Sequence, residues 1–551
     1  MSDFSEMSQT IHRISSVFLA ACAIGACAAP VFAQKDFASA KTLANQHITA
    51  AQLRDYLTFI ASNELQGRDT PSPGLDIAAK FIATHMSRWG LKPAGDKETY
   101  FQTMMLGRTQ VDVDKSTATL AGTALKPRTD FIPFALGGNG SAEGSVVYAS
   151  HGYYAKNLGI DAYNGVDVRG KIVVVSGRAP KGINFRQLTQ SGKQGEDWMD
   201  PAAYAKKSGA VGIIFLGAAT NRNNWEAFAN SATRGGGRFR PQQESSEKLL
   251  PAVYLAPEQV EKLFAGEKAT AEAIYTDRES NQAITAFPLS DSKKLAFNSV
   301  VVSETVPTQN VVAVLEGSDP TLKNEYVALG AHYDHVGVNP RLEGDQIFNG
   351  ADDDGSGTVA LMGIAEALSK SPVKPKRSIL FVWHCGEEKG LWGSEYFVEN
   401  PTVPLDKITA QINIDMIGRS KQPGDTKNAN RDLSGPNEIY LIGATMMSTE
   451  LEQLAKTVNT GFLNLGYDLR YDAPDDPNRF FFRSDHYNYA KKGIPILFYF
   501  DGVHEDYHKV GDEVEKIDFD KMTKVTRTVL VTVTEIANRP KRLVVDKKLD
   551  R

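Results

Sequence analysis

The sequence predicts an α/β fold with a mixed, mostly parallel sheet flanked by helices and interrupted by a smaller β-rich domain. Two observations predict this fold. From Asn310 onward, short apolar runs alternate with helical stretches, as in parallel sheets whose strands are connected by helices. Between about Gly140 and Glu279 the pattern changes to short β-branched runs separated by turns, which is typical of a separate β-rich unit.

The composition is that of an ordinary globular protein and argues against nucleic acid as a partner. Of the 551 residues, 42% are hydrophobic and 23% are charged, and the net charge is -5. A chain of this length exceeds the size of one hydrophobic core, so two domains are expected. Because there is no basic excess, we expect no polyanionic partner.

The first 33 residues have the pattern of an export signal. Arg13 precedes an apolar run from Val17 to Phe32, and the run ends at Ala33 with the spacing of a cleavage site. We therefore expect a periplasmic or secreted protein. The alternative is a lipid-anchored protein, because the residues that end at Cys27 resemble a lipobox. No later run is long and apolar enough for a membrane-spanning helix, so we expect no transmembrane span after signal removal.

Two helices are predicted near the start of the mature chain. Apolar residues recur at helical spacing on both sides of the turn-rich segment Glu64–Gly74. The second helix, Leu75–Trp89, is expected to stop at Gly90, since glycine is common just after a helix. These helices belong to a predicted N-terminal part of the catalytic domain, residues 34–138.

The smaller β-rich domain is predicted over residues 139–290, and the catalytic domain then continues over residues 291–545. Three strand-like runs lie in the smaller domain: Gly144–Tyr148, Lys171–Val175 and Ala210–Phe215. The polar, glycine-rich stretch Thr220–Lys248 is expected to be a long exposed loop.

Five apolar runs predict strands of the main sheet: Asn310–Leu315, Tyr326–Leu329, Ile379–Trp383, Ala410–Ile414 and Ile494–Phe498. Sites in such folds lie at the carboxyl ends of the strands. Polar clusters follow most of these runs, and six of the ten histidines lie between His332 and His508. A functional site is therefore expected at this edge of the sheet.

The residue types in these clusters point to a metal site. His332 follows a strand, and its imidazole can bind a metal while Asp334 fixes the tautomer. Three adjacent aspartates lie in the glycine-rich turn Gly350–Gly357, where their charges repel unless a cation neutralises them. That turn alone is equally typical of a calcium loop or a capped helix start. The adjacent Glu387 and Glu388 can divide the roles of general base and metal ligand.

Five motifs together, in order and spacing, resemble peptidase family M28. They are His332–Asp334, Asn349–Gly357, Gly386–Leu391, Asn413–Gly418 and Tyr507–His508. The segment Glu64–Arg68 is also similar to members of the family. Two segments of the predicted insert, Asp167–Val174 and Ala205–Ile213, look like the protease-associated domain that many members contain. The resemblance covers nearly the whole mature chain.

The resemblance implies a zinc-peptidase fold with two zinc ions. It implies that Asp352 binds both ions, with His332 and Asp415 completing one site. Glu388 and His508 complete the other site. Co2+ or Mn2+ can substitute for zinc, because ligand type alone does not fix the metal.

The resemblance also implies the catalytic roles. Glu387 is the expected general base, and Tyr507 matches a position that helps to stabilise the reacting carbonyl oxygen in some members. The peptide bond after the bridging aspartate is commonly cis in the family, which makes Asp352–Asp353 the candidate here. The other histidines of the region are interpreted as structural or pocket residues: His335, His384, His486 and His504.

These observations predict an exported metallopeptidase that acts on peptides, and the family resemblance favours an aminopeptidase. Three alternatives stay open. A carboxypeptidase of the same family needs basic residues for the terminal carboxylate, and Arg479, Arg483 and Lys389 are candidates. A glutaminyl cyclase shares much of the site but works with one zinc ion. A non-catalytic, receptor-like binding protein keeps the architecture but typically loses ligands or the base.

Overall fold

The computed structural model describes residues 28–180, 182–233, 239–241, 249–280, 284–547 and 549. The chain forms two compact units, the first of Met1–Met104 with Pro307–Arg551 and the second of Met105–Val306. Two long strands, Phe101–Val111 and Val301–Leu315, carry the chain from the first unit to the second and back.

The second unit is wider than the predicted insert of residues 139–290. Residues 105–138 and 291–306, which the sequence assigned to the flanking catalytic parts, belong to the second unit instead. The reason is strand pairing at long range. Leu295–Ser299 pairs with Gly140–Gly144 on one side and with Thr117–Leu120 on the other.

The predicted export signal, residues 1–33 with Cys27, lies outside the described residues except for the backbone of residues 28–33, which is helical. Among the helices of the described ranges, none combines the length and the hydropathy that crossing a lipid bilayer requires.

The first unit is built around a mixed sheet covered by helices. From Val301–Leu315 onward the strand order is Val301–Leu315, Ser378–His384, Tyr326–His332, Ile408–Ile414, Ile496–Phe500, Glu438–Ile442 and Gly466–Asp468. Lys92–Pro93 pairs with the first of these strands, and Gly337–Val338 pairs with Ile347–Phe348. The helices are Ala28–His47, Ala50–Ile60, Pro73–Arg88, Gly357–Ser369, Trp392–Glu399, Ala444–Met447, Thr449–Thr460, His486–Lys491 and Phe519–Asn538.

The sheet is mixed, as predicted, and its central strands are parallel, whereas strands nearer its edges pair antiparallel. Tyr326–His332 pairs in parallel with both of its neighbours, Ser378–His384 and Ile408–Ile414. The two neighbours are buried along their whole length, as expected for strands with helices on both faces. All five predicted strands are present with shifted ends, and the sequence analysis missed Glu438–Ile442 and Gly466–Asp468.

The helix predicted as Leu75–Trp89 is observed as Pro73–Arg88. The Ser72 side chain accepts a hydrogen bond from the Leu75 N–H. A proline occupies the first turn, where a backbone N–H would have no acceptor within the helix, so the lack of an N–H in proline removes no helical hydrogen bond. The chain leaves the helix at Gly90, whose φ of +75° suits glycine. Capping thus explains both ends of this helix.

The second unit is β-rich, and its larger sheet has the order Phe287–Pro288, Val146–Tyr148, Ile172–Val175, Gly212–Phe215, Ala252–Leu255 and Phe131–Pro133. Its other strands are Thr117–Leu120, Thr123–Leu125, Gly140–Gly144, Tyr154–Ala155, Ile160–Asp161, Trp198–Met199, Arg240–Pro241 and Leu295–Ser299. Its helices are Phe185–Gln190, Pro201–Lys207, Ala219–Asn223, Trp225–Thr233, Pro257–Phe264 and Ala271–Ser280.

The prediction of a long exposed loop over Thr220–Lys248 was wrong for its first part. Ala219–Asn223 and Trp225–Thr233 are helical there. Trp225, Phe228 and Ala229 follow helical spacing and pack in an apolar cluster with Ile132. Packing of this short apolar face favours helical structure here, although the stretch as a whole is polar.

Leu329 lies in the central strand and is fully buried, so its substitution tests whether this strand lies in the hydrophobic core. Leu329→Ala is expected to lower the free energy of unfolding by about 2–5 kcal/mol, since it leaves a cavity in a packed interior. Val373 is 69% exposed, so the control Val373→Ala is expected to change that energy by less than about 0.5 kcal/mol. Denaturant unfolding followed by tryptophan fluorescence measures both variants. Equal effects would contradict the central place of this strand.

Candidate metal centre

The acidic and imidazole side chains of the predicted site follow the buried strands of the first unit. Tyr326–His332 and Ser378–His384 run in parallel and pair along their length. Since parallel strands end at the same edge of a sheet, the loops that follow them bring their side chains together. The residues concerned are His332, Glu387, Glu388, Asp415 and His508, and they meet the loop Ala351–Ser356, which leads into the helix Gly357–Ser369.

One group of possible metal ligands consists of His332, Asp353 and Asp415. Nε2 of His332 lies 3.3 Å from Oδ1 of Asp353 and 3.6 Å from Oδ1 of Asp415. All three residues are buried. Their donor atoms face a common point, which is the arrangement that a bound cation requires.

A second group uses the other oxygen of Asp353. Nε2 of His508 lies 3.1 Å from Asp353 Oδ2 and 3.0 Å from Glu388 Oε2. Nδ1 of His335 lies 2.8 Å from Glu388 Oε1 and 3.9 Å from Asp353 Oδ2. Asp353 therefore directs one carboxylate oxygen to each group.

The structure places Asp353, rather than the predicted Asp352, between the two groups. Oδ1 of Asp352 accepts a hydrogen bond of 2.6 Å from the Gly418 N–H, and its Oδ2 lies 3.4 Å from Nε2 of His504. The cis peptide bond likewise joins Asp353 to Asp354, one residue later than expected. Three consecutive aspartates fit the motif in more than one register, and the backbone decides which of them faces the histidines.

Asp354 ties the surrounding loops to one another. Its Oδ2 accepts from the His332 N–H at 3.2 Å, and its Oδ1 accepts from the N–H groups of Gly357 and Met416 at 2.9 and 3.1 Å. These three bonds join the loops that carry His332, Asp353 and Asp415. The third aspartate of the turn is thus structural.

Asp334 holds both His332 and Glu387, although not in the predicted way. Its backbone carbonyl lies 3.2 Å from Nδ1 of His332, whereas its carboxylate is 3.7 Å from that nitrogen. An Nδ1–H donated to the carbonyl leaves the Nε2 lone pair free for a metal. The carboxylate instead accepts from the Glu387 N–H at 3.1 Å.

Glu387 lies at the edge of the first group, with Oε2 3.9 Å from Nε2 of His332. Burial raises the pKa of Glu387 well above its usual value, and nearby Glu388 and Asp415 raise it further while His332 opposes them. A carboxylate with a raised pKa is a better proton acceptor near neutral pH. This environment suits the predicted general base.

Unpaired buried atoms indicate that the centre suits cations. Within the described residues, Nε2 of His335 has no hydrogen-bond partner, and Oδ2 of Asp353 and Oε1 of Glu388 face imidazole nitrogens without the geometry of a hydrogen bond. Burying such groups without partners is costly. Asp353 and Glu388 also raise the pKa of His508 to about 10 against the opposing effect of burial, which reflects a strongly negative potential. Imidazole and carboxylate donors of this kind fit divalent metals such as zinc.

A chain of hydrogen bonds orients Asp415. Ser484 Oγ donates to Asp415 Oδ2 at 2.6 Å, and Asn413 Nδ2 donates to Ser484 Oγ at 2.9 Å. Gln411 Nε2 in turn donates to Asn413 Oδ1 at 3.2 Å. Because every member is buried, the carboxylate has a fixed direction. Sequence reasoning did not find Ser484 as a support of the site.

A cavity of about 40 Å³ adjoins the centre. Asp353, Glu387 and Asp415 form its polar side. Its apolar side is formed by Met416, Phe480, Phe498, Phe500 and Val503. Tyr507 and Arg483 also line it, and the Arg483 Nη2 lies 3.5 Å from the Tyr507 hydroxyl. The cavity therefore combines acidic and apolar surfaces with the positively charged side chain of Arg483.

The three predicted carboxylate-binding residues have different surroundings. Lys389 forms an ion pair of 2.5 Å with Asp69, and the Arg479 guanidinium lies over the ring of Phe482. Arg483 is the one of the three that lines the cavity. A substrate carboxylate in the cavity would therefore meet Arg483.

Of the four histidines without a predicted ligand role, His335 is the exception. His384 contacts the Tyr489 hydroxyl at 3.3 Å, His486 contacts the Phe481 carbonyl at 2.8 Å, and His504 lies beside Asp352. His335 instead contacts Glu388 in the second group. Its position three residues after His332, on the same loop, was the signal that could have found it.

Comparison with known proteins indicates the family that this region resembles. Residues 310–533, which contain both groups, match the model of peptidase family M28. The chain is similar to leucine aminopeptidase 2 of Trichophyton equinum, with 27% identity over 47% of this chain and 51% of the relative. It is also similar to a probable leucine aminopeptidase 2 of Aspergillus oryzae, with 28% identity over 50% of this chain and 56% of the relative.

The chain therefore spans about half the length of the curated relatives that it matches. Among solved structures, an aminopeptidase from Aneurinibacillus sp. strain AM-1 matches with a TM-score of 0.48 and 16% identity, over 92% of this chain and 98% of that chain.

The support that Ser484 gives to Asp415 is testable through metal affinity. Ser484→Ala removes the donor to Asp415 and is expected to weaken zinc binding by about 10–100-fold, as losses of such supporting bonds do. Ser378 is a matched control, because it is buried and hydrogen-bonded to Lys323 O and Gly317 N instead. Competition with a chromophoric chelator measures both affinities. Equal affinities of the two variants would contradict the role of Ser484.

Proposed function

We infer from the match of residues 310–533 to the model of peptidase family M28 that this protein is an exported aminopeptidase that uses two zinc ions to hydrolyse peptides. The observation that carries the proposal is the pair of ligand groups that share Asp353, with Glu387 beside them. A receptor-like protein is disfavoured, because both groups and the expected base are present together. Peptides with a free N-terminus are the proposed substrates.

The proposal assigns one ion to His332, Asp353 and Asp415, and the other to Asp353 with Glu388 and His508. When bound, two such ions would supply Lewis acidity to a peptide carbonyl and would lower the pKa of water. His335 is buried and contacts Glu388, whereas the His508 side chain is 39% exposed. His335 therefore supports the second group from the protein interior.

Glu387 is proposed to move the proton of the reaction. Its raised pKa lets it take a proton from water near neutral pH and give it to the leaving amine. Asp334 accepts from its backbone N–H and thereby holds the loop that carries it. This bond fixes the backbone from which the Glu387 side chain extends.

Tyr507 is proposed to donate a hydrogen bond to the reacting carbonyl oxygen. Burial, together with the charges of Asp353 and Glu388, raises the pKa of Tyr507, so the hydroxyl keeps its proton at neutral pH. The ring stacks on His508 with 4.0 Å between ring centres, which fixes its direction. A neutral donor in this place stabilises negative charge that develops on the oxygen.

The cavity beside the centre supports specificity for the first residue of a peptide. The acidic residues on one side suit contact with a free α-amino group, and the apolar residues on the other side suit contact with an apolar side chain. The two relatives compared above are named leucine aminopeptidases, which supports an apolar first residue such as leucine.

Export and the role of the second unit are parts of the proposal that rest on the sequence. Arg13 and the apolar run from Val17 to Phe32 support a cleaved signal, with lipid anchoring at Cys27 as the alternative. The resemblance of Asp167–Val174 to the protease-associated domain supports the same identity for the second unit.

Peptides with blocked ends test the proposed activity. The zinc-loaded protein is expected to remove leucine from a peptide with a free N-terminus, and from the same peptide amidated at its C-terminus. An N-acetylated peptide is expected to stay intact. Glu387→Gln is expected to lower kcat by about 10²–10⁴-fold, because it removes the proton acceptor. Mass spectrometry of the products measures each rate.

Glu366→Gln is the control, because Glu366 bonds to Tyr56 and not to the centre, and its rate is expected to match the wild type. Cleavage that requires a free C-terminal carboxylate would assign a carboxypeptidase instead. Ammonia release from N-terminal glutamine without loss of a residue would assign a cyclase. No hydrolysis of a varied peptide set, with two zinc ions bound, would contradict a peptidase.

A further inference from the structure

We propose that Arg68 is a positioning residue of the metal centre, whose guanidinium holds the ligand-bearing loops in register and thereby sets the affinity for zinc. The inference rests on the proposed metal centre. It concerns a residue that supplies no ligand itself and lies about 260 residues before the first of them in the sequence.

Arg68 is fully buried, and its guanidinium bonds within the described residues go to backbone carbonyls. Nε donates to Tyr333 O at 2.9 Å, and Nη2 donates to Gly350 O at 3.0 Å. Nη1 donates to Ile60 O at 2.5 Å and to Asn349 O at 2.7 Å. One side chain thus satisfies four carbonyls that belong to three separate segments.

Two of those segments carry metal ligands. Tyr333 follows His332 directly, and the pair Asn349 and Gly350 precedes Asp353 by three residues or more. The guanidinium is planar, with five N–H donors in a fixed fork, so it fixes directions as well as distances. Arg68 therefore sets the spacing between the first histidine and the shared aspartate.

The backbone beside Arg68 extends this contact to further loops. The Arg68 carbonyl accepts from the His335 N–H at 3.2 Å. Thr70 Oγ1 accepts from the Gly386 N–H at 3.1 Å, directly before the two glutamates. The segment from Arg68 to Thr70 thus touches the loops that carry His332, Asp353 and Glu388.

The charge of Arg68 and its proposed positioning role predict opposite effects on the affinity for zinc, so a measurement of that affinity distinguishes them. Burial lowers the pKa of Arg68 to about 10, with Asp334, Asp512 and Asp353 opposing it, so the group stays positive at neutral pH. A positive charge near a cation site weakens cation binding. If charge alone mattered, Arg68→Gln would strengthen zinc binding. A positioning role predicts that Arg68→Gln weakens zinc binding.

The experiment measures zinc affinity of the full chain by competition with a chelator. Arg68→Gln and Arg68→Lys are both expected to raise the zinc Kd by about 10–100-fold, since lysine keeps the charge but loses the planar fork. Thr70→Val removes the bond to Gly386 alone and is expected to give a smaller loss. The absorption bands of the cobalt-substituted protein are expected to shift in the Arg68 variants, because they report ligand geometry.

Arg377→Gln is the matched control. Arg377 is also a fully buried arginine, and it donates to the backbone carbonyls of Ala537 and Arg539 and pairs with Glu325. This variant is expected to lower thermal stability while its zinc Kd stays within twofold of the wild type. It shows what the loss of any buried arginine does to the fold.

Zinc affinity of Arg68→Lys within twofold of the wild type would overturn the inference, as would tighter binding by Arg68→Gln. An equal loss of affinity in Arg377→Gln would overturn it too, because the effect would then be one of general stability. A wild-type protein that binds no zinc would contradict the proposed function rather than the role of Arg68.

Discussion

Repulsion among buried carboxylates is the constraint on which the centre of the first unit depends. Asp353, Glu388 and Asp415 lie largely out of water, with Glu387 beside them. Two unit charges 4 Å apart repel by about 4 kcal/mol at an effective dielectric constant of 20. Such a cluster is stable only where imidazoles, hydrogen-bond donors or metal ions offset the repulsion. The parallel strands supply the geometry, because they end at one edge of the sheet and deliver the loops to one place.

The turn of three aspartates reduces this repulsion, because the three side chains point in different directions. Asp352 faces Gly418 and His504, Asp353 faces the two ligand groups, and Asp354 accepts three backbone N–H bonds. Three adjacent charges are thus separated by the path of the backbone. Only the middle one is left for metals, and its two oxygens serve different groups. The bonds that Arg68 and Ser484 make then fix the loops around it.

The sequence predicted the sheet and the place of the site because both depend on local patterns. Strands buried on both faces read as apolar runs, and Ile408–Ile414 is such a strand. The choice of Asp353 over Asp352 could not be predicted, since the two side chains are chemically identical and only the backbone distinguishes them. Arg68 was not predicted either, because arginine is almost never fully buried. The bounds of the second unit depend on the distant pairing of Leu295–Ser299 with Gly140–Gly144, which no local pattern contains.

The zinc content of two neighbouring variants tests the central claim most directly, namely that Asp353 is the residue shared by both groups. After loading and dialysis, the wild type and Asp352→Asn are expected to retain two zinc ions per chain by atomic emission, with thermal unfolding as the check that each variant is folded. Asp353→Asn is expected to lose zinc from both groups, because both lose a ligand. Retention of two ions by Asp353→Asn, with loss in Asp352→Asn, would contradict the account.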